Sequence, residues 1–226
     1  MKRISKRLKE GYKAVDREKT YTLEEAITAI ESFPKVKFDE TVEIHFALGI
    51  NPKASDQIVR GTVVLPHGTG KSLRIAVFCK GENEAKAKGA GADFVGAEEL
   101  IDKVSKGFLD FDVVVATPDM MRELSKLGKV LGPRGLMPTP KAGTVTPDVV
   151  KAITELKAGK IEFKSDKQAG VHLGVGKRSF SKDKLADNIR QILDAINLAK
   201  PNTLKGTYIK SASLTTTMGP GLKVAI

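Results

Sequence analysis

A short carboxyl-terminal motif contains the residue types best suited to binding chemistry in this sequence. Three threonines, Thr215-Thr216-Thr217, are followed by Met218-Gly219-Pro220-Gly221 and by a strand-like stretch at residues 222–226. Threonine favours an extended backbone because its side chain is stiff, whereas glycine and proline favour a turn. The motif therefore combines hydroxyls, a polarizable thioether and exposed backbone, which suit contacts with sugars, phosphates and an unstacked base. The alternative is an ordinary hairpin that ends a domain.

Basic and aromatic residues elsewhere could extend such a surface. Phe38 follows Lys37 at the entrance to a strand-like segment, so its ring either stacks on a base or sugar or packs into the core. Gly174-Val175-Gly176-Lys177 begins like a dinucleotide-binding fingerprint but lacks its third glycine. A basic glycine turn, with the charges of Lys177 and Arg178 near phosphates, explains the segment equally well.

The three histidines do not form an obvious metal site. They are scattered at positions 45, 67 and 172, and the single cysteine, Cys79, lies in an apolar run. Because His45 and His172 fall on the polar faces of predicted strands, we interpret them as surface or RNA-facing groups. The sequence predicts no cofactor, no metal and no catalytic site.

An enzymatic alternative rests on Pro66-His67-Gly68-Thr69-Gly70-Lys71-Ser72, which ends like a phosphate-binding P-loop. Position 65, where that motif requires glycine, is leucine. A P-loop also opens a helix whose N-terminus holds the phosphates, whereas Ser72 leads into a predicted strand. We therefore expect a flexible connector between domains, with a nucleotide-binding enzyme as the alternative.

Charge and composition narrow the class of partner. The net charge of +11 and the isoelectric point near 9.6 indicate a polyanion, most often nucleic acid. No window approaches 18 uncharged apolar residues and the amino end lacks an apolar signal region, so we expect no membrane partner and no secretion. One cysteine agrees with a reducing cytoplasm.

The hydrophobic pattern divides the chain into three stretches. Residues 1–67 and 160–226 contain strands that alternate apolar and polar side chains, together with amphipathic helices. Residues 68–159 alternate apolar runs with helical segments, which is typical of a parallel sheet covered on both faces. The prediction is a protein of α/β and α+β type in which a parallel-sheet domain, 68–159, is inserted into a discontinuous α+β domain built from residues 1–67 and 160–226.

Three local predictions follow from the same pattern. Thr22 and Glu25 have the spacing of a capping box that begins a helix. Residues 41–48 form a half-exposed strand, and residues 58–65 resume as its partner. In the insert, the glycine- and proline-rich loop at 131–146 is long enough to be functional.

The charge is uneven between these stretches. The terminal stretches together hold +9 of the +11, which leaves +2 on residues 68–159. A polyanion is therefore expected to bind the domain built from both ends of the chain.

Four segments resemble the bacterial-type ribosomal protein L-one family of the large subunit, and they occur in the family's order along the whole chain. They are Lys37-Phe38-Asp39-Glu40-Thr41-Val42-Glu43, Gly61-Thr62-Val63-Val64-Leu65-Pro66-His67-Gly68, Leu131-Gly132-Pro133-Arg134-Gly135-Leu136-Met137-Pro138 and Thr215-Thr216-Thr217-Met218-Gly219-Pro220. The resemblance implies a two-domain, non-enzymatic protein of the cytoplasmic ribosome, in which residues 1–67 and 160–226 form a discontinuous RNA-binding domain and residues 68–159 form a Rossmann-like inserted domain.

The resemblance also implies partners. They are the ribosomal RNA of the mobile stalk beside the tRNA exit site, the exit-site tRNA, and the protein's own messenger RNA, whose translation it represses. Off the ribosome we expect a monomer. The RNA-contacting residues that the resemblance implies are Phe38, Thr41, Ser211, Thr217, Met218 and Gly219.

Overall fold

A computed structural model describes residues 5–16 and 18–225. Its β-strands are β1 (Thr20–Tyr21), β2 (Thr41–Leu48), β3 (Arg60–Val64), β4 (Ile75–Phe78), β5 (Phe94–Gly96), β6 (Val113–Ala116), β7 (Lys160–Lys164), β8 (Gly170–Lys177), β9 (Ile209–Thr216) and β10 (Leu222–Val224). Its α-helices are α1 (Lys6–Lys13), α2 (Leu23–Ser32), α3 (Glu82–Gly89), α4 (Glu98–Ser105), α5 (Met121–Leu124), α6 (Gly128–Leu131), α7 (Val149–Ala158) and α8 (Lys182–Leu198).

Contacts between residues divide the chain into two compact units. The first unit combines Met1–Gly70 with Ile161–Ile226, and the second unit is Lys71–Lys160. The mixed α/β fold class that the sequence predicted is confirmed. Within the described ranges, no helix is both long and apolar enough to cross a bilayer.

The core of the first unit is a five-stranded sheet in the order β1-β10-β9-β2-β8. In the centre, β2 runs antiparallel to both β8 and β9, so that Ile44 lies opposite Leu173 on one side and Leu214 on the other. Alternate residues of β2 are buried, as the pattern predicted, and they pack with the apolar residues of α2 and α8. One face of the sheet is therefore core, and its other face is polar.

The capping box at the start of α2 is confirmed. The Thr22 hydroxyl accepts a hydrogen bond from the Glu25 N–H at 3.3 Å, and the Glu25 carboxylate accepts one from the Thr22 N–H at 3.0 Å. Two N–H groups that the first turn would leave unpaired are thereby satisfied. The helix then buries Ala26, Ile27 and Ile30.

The prediction that residues 58–65 pair with residues 41–48 is wrong. β3 pairs with β7 in a separate two-stranded sheet. The reason is that both edges of β2 are already hydrogen-bonded, to β8 and to β9, so no edge is left for a third strand.

The second unit contains a parallel three-stranded sheet in the order β5-β4-β6. Successive residues of β4 point to opposite faces, so Ala76 and Phe78 join one apolar cluster while Ile75 and Val77 join another. This burial on both faces explains why the strands read as continuous apolar runs. The loop at 131–146 returns to β6 through a parallel bridge between Val145 and Ala116.

Candidate nucleic-acid interface

Three segments of the first unit meet where β2 begins, and we call them together the entrance surface. They are residues 37–41, 177–179 and 216–219. Thr41 lies opposite Lys177 in the ladder between β2 and β8, and the N–H of Thr217 donates to the Thr41 carbonyl at 3.0 Å. The antiparallel sheet therefore brings together residues that are up to about 180 positions apart in the sequence.

The Thr217 hydroxyl is used inside the protein. It accepts a hydrogen bond from the N–H of Thr41 at 3.0 Å and approaches the Thr41 carbonyl at 3.3 Å. The side chain is nevertheless exposed. Thr217 thus joins the end of β9 to the start of β2 although the residue is exposed.

The side chain of Lys177 also contacts Thr41. Its ammonium is 3.3 Å from the Asp39 carbonyl and 3.3 Å from the Thr41 hydroxyl. Both contacts are long, so the group can exchange them for a phosphate oxygen at small cost.

Beneath these residues lies a buried ion pair, Glu40 with Arg178, at 2.7 Å. The Glu40 side chain is 1% exposed and that of Arg178 is 11% exposed. The second carboxylate oxygen of Glu40 accepts from the Met218 N–H at 3.0 Å and from the Thr216 hydroxyl at 3.2 Å. The expectation that Arg178 offers its charge to phosphates is therefore wrong, because Glu40 neutralises that charge within the protein.

Two large apolar side chains remain exposed at the entrance surface. Phe38 is 54% exposed and Met218 is 49% exposed. A cavity of about 400 Å³ opens beside Phe38, and Lys35, Asp39 and Arg178 also line it. Of the two interpretations of Phe38, the exposed ring fits stacking on a ligand, since a ring packed into the core would be buried.

Gly219 is required by packing within the turn. Its φ is not left-handed, but a Cβ at this position would lie 2.3 Å from the Thr216 hydroxyl oxygen and 3.1 Å from the Phe33 ring. The Met218 carbonyl accepts from the Arg7 guanidinium at 2.6 Å, so the turn is also held from the side of α1.

His172 and Ser211 lie elsewhere, on the polar face of the sheet. Ser211 is opposite Ala47, six residues along β9 from Thr217, which is roughly 20 Å. His172 faces His45 across β2 and β8, with 2.9 Å between their Nδ1 atoms and 3.4 Å from the His172 Nε2 to Asp166. Of the predicted site residues, His172 and Ser211 therefore lie outside the entrance surface. The structure brings together the others, which are Lys37, Phe38, Thr41, Lys177, Thr217, Met218 and Gly219.

The histidine pair alters the pKa of one ring. Burial and the neighbouring His172 lower the pKa of His45 below its ordinary value, and Glu43 opposes them. Because one ring nitrogen must accept when two rings share a hydrogen bond, a neutral His45 suits this contact.

Sequence reasoning missed Glu40 as a site residue. It lies within the Lys-Phe-Asp-Glu-Thr segment, one residue before the alternating pattern of β2 begins. A glutamate just outside a strand is usually solvated, so the pattern held no sign that this carboxylate is buried.

The loop at 66–72 does not have the architecture of a P-loop. Coil follows Lys71 and then β4 begins at Ile75, so the loop leads into a strand and does not open a helix. The buried Asn188 accepts from the His67 N–H at 3.2 Å and donates to the Gly68 carbonyl at 3.0 Å. The predicted flexible connector is thus anchored at its start.

The fold and this site define a two-unit α/β protein with exposed apolar and basic side chains at one end of an antiparallel sheet. A sequence model described as the ribosomal protein L1p/L10e family matches residues 29–220. The chain belongs to this family, which confirms the resemblance that the four sequence segments indicated.

Curated relatives match along nearly the full chain. The large ribosomal subunit protein uL1 of Protochlamydia amoebophila is 59% identical over 224 residues, covering 99% of this chain and 95% of its own length. The proteins of the same name from Solidesulfovibrio magneticus and Kosmotoga olearia are 54% and 52% identical, each over 99% of this chain and over 95% and 97% of their own lengths.

Proposed function

We propose that this chain is a structural, non-enzymatic protein of the large ribosomal subunit in the cytoplasm, and that its entrance surface binds ribosomal RNA. The observation that supports this most directly is the pair of exposed apolar side chains, Phe38 and Met218, around Lys177 and Thr41. Aromatic and thioether groups contact unstacked bases, and a lysine beside them contacts phosphate. The relatives' names state that those proteins belong to the large subunit.

Charge supports the same assignment. The terminal stretches, which build almost all of the first unit, hold +9 of the net +11. Such an excess attracts a polyanion from a distance, while the apolar contacts decide where it docks.

The finer function in this proposal follows the family resemblance. The bound RNA is the element that forms the mobile stalk near the tRNA exit site, where the protein aids release of exit-site tRNA. The same surface also binds the protein's own messenger RNA and represses its translation. Off the ribosome the protein is a monomer.

The test is a titration of the full chain with fragments of large-subunit ribosomal RNA, against a length-matched RNA of unrelated sequence. We expect one fragment to bind at least about 1,000-fold more tightly than the unrelated RNA. A matched pair of variants locates the surface: Phe38→Ala should weaken binding, whereas Leu198→Ala, at a side chain that is 88% exposed on α8, should not. Equal affinity for all fragments and the unrelated RNA would contradict the proposal.

A competition experiment tests the regulatory part. If one surface binds both RNAs, the preferred ribosomal fragment should displace the leader of the protein's own messenger, and Phe38→Ala should weaken both complexes alike. Simultaneous binding of the two RNAs to one protein molecule would contradict a shared surface.

A further inference from the structure

We infer that the buried pair of Glu40 and Arg178 positions the residues of the entrance surface for RNA, although neither residue contacts RNA through its charge. This inference rests on the proposed RNA-binding function. It assigns a role to two residues that lie beneath the surface and that share one hydrogen-bond network with all three of its segments.

The carboxylate of Glu40 connects two segments. One oxygen accepts from Arg178 at 2.7 Å, while the other accepts from the Met218 N–H at 3.0 Å and from the Thr216 hydroxyl at 3.2 Å. Because these partners occupy both oxygens, the turn at 216–219 cannot shift relative to residue 40 without breaking a charge-assisted hydrogen bond in a buried site.

Arg178 extends the connection to the end of α2. Besides Glu40, its guanidinium donates to the carbonyls of Glu31, at 3.2 Å, and Phe33, at 2.5 Å, and its own backbone N–H donates to the Glu40 carbonyl at 2.8 Å. These carbonyls are left unpaired where the helix ends, so a cation there is favourable.

Each partner of the pair adjoins a residue of the entrance surface. Thr41 directly follows Glu40 and Phe38 precedes it by two residues, Lys177 precedes Arg178, and the Met218 N–H contacts Glu40 directly. A buried ion pair is weak evidence for stability, since well-packed apolar residues often do as well, whereas its fixed geometry can specify one arrangement. Positioning of the surface is therefore the role that this geometry favours.

Electrostatics and positioning predict opposite results for one substitution. Glu40→Gln removes a negative charge from a protein that binds a polyanion, so charge alone would leave RNA affinity unchanged or raise it. Arg178 and Met218, however, donate to different oxygens of the Glu40 carboxylate. An amide has an acceptor oxygen on one side only, so the glutamine must turn its NH₂ group towards one of these two donors. Positioning thus predicts weaker binding.

The matched control is Glu31→Gln. The Glu31 carboxylate is 48% exposed and pairs with Lys182 at 3.1 Å, outside the network that its backbone carbonyl joins. Both variants lose one negative charge in the same region. We expect Glu40→Gln to bind the preferred ribosomal fragment about tenfold more weakly than Glu31→Gln.

A spectroscopic measurement at the turn distinguishes a positioning role of Glu40 from a role in overall stability. The amide proton of Met218 should shift in the nuclear magnetic resonance spectrum of free Glu40→Gln, because its acceptor changes, while that of Ile44 inside β2 should not. If Glu40→Gln does not fold, the same RNA titration is made with the double variant Glu40→Gln/Arg178→Met, which removes the negative charge and its positive partner together.

The outcomes separate this inference from the function on which it rests. A folded variant that binds at least about threefold more weakly than Glu31→Gln and shows the Met218 shift supports the inference; a smaller loss or no Met218 shift overturns it. Failure of the wild-type protein to prefer any ribosomal fragment would instead contradict the proposed function.

Discussion

The Thr217 hydroxyl contacts both backbone groups of one residue, Thr41: it accepts from the N–H at 3.0 Å and lies 3.3 Å from the carbonyl oxygen. A side chain thereby continues the ladder between β2 and β9 one step beyond the last strand residue. A threonine in a motif that is predicted to bind RNA is easily taken for a direct contact, but this hydroxyl also joins two segments of the protein.

Thr217→Val keeps the shape of the side chain and removes these hydrogen bonds. We expect a loss of about 1 kcal/mol in the free energy of unfolding, the lower end of the range for an unpaired group, because water reaches this exposed site. Denaturant titration measures the loss. The control is Thr154→Val, at an exposed threonine whose hydroxyl donates to the Val150 carbonyl within α7. Equal stability of Thr217→Val and the wild type would show that the hydroxyl has no structural part.

Gly219→Ala tests the packing of the turn. A methyl group would meet the Thr216 hydroxyl oxygen at 2.3 Å, so the turn must shift, and we expect a loss of about 1–3 kcal/mol in stability. Gly221→Ala is the matched control, because nothing lies within 4 Å of its Cβ and its φ is not left-handed. Thermal melts of both variants decide: similar melting temperatures would contradict the packing argument.

Phe38→Ala and Met218→Ala should weaken RNA binding with little change in stability, because both side chains are half exposed in the free protein. We expect a loss of about 1–3 kcal/mol for Phe38, the range for stacking of one base, measured by titration. Ile58→Ala, at a side chain that is 46% exposed, is the control for loss of exposed apolar surface. Wild-type affinity in both folded variants would exclude these side chains from the interface.

Lys177→Ala tests whether this residue contacts phosphate or a base. A phosphate contact predicts weaker binding to all RNAs and a slope of log affinity against log salt that is flatter by about one unit. Titrations at several salt concentrations, with preferred and unrelated RNA, measure both effects. Selective loss of the preferred RNA would instead mean that Lys177 reads a base.

Acid should destabilise the first unit through His45. Its pKa is lowered on folding from an ordinary value of 6.5, so below that pH the unfolded chain takes up the proton first. Stability therefore falls as the pH decreases through 6.5 towards the folded pKa. We expect His45→Gln to gain melting temperature relative to the wild type as the pH is lowered from 7 to about 5. A constant difference across that range would contradict the effect.

Much of the fold could be predicted from local sequence. The alternation of apolar and polar residues predicted β2, and the spacing of Thr22 and Glu25 predicted the start of α2. Continuous apolar runs predicted the parallel sheet of the second unit. These signals are local because the side-chain period and the end of a helix are set by neighbouring residues. The motif at 215–220 likewise indicated the family, which the comparisons confirmed.

Only the tertiary structure decided which residues share a site. Strand pairing set β3 against β7, brought Thr41 to Thr217 and Lys177, and left His172 and Ser211 on a different part of the sheet. It also buried the ion pair of Glu40 and Arg178, although the sequence indicated burial of neither charge. The physical reason is that hydrogen bonds between strands join residues far apart in the chain, and whether a charge is buried depends on partners that no local pattern identifies.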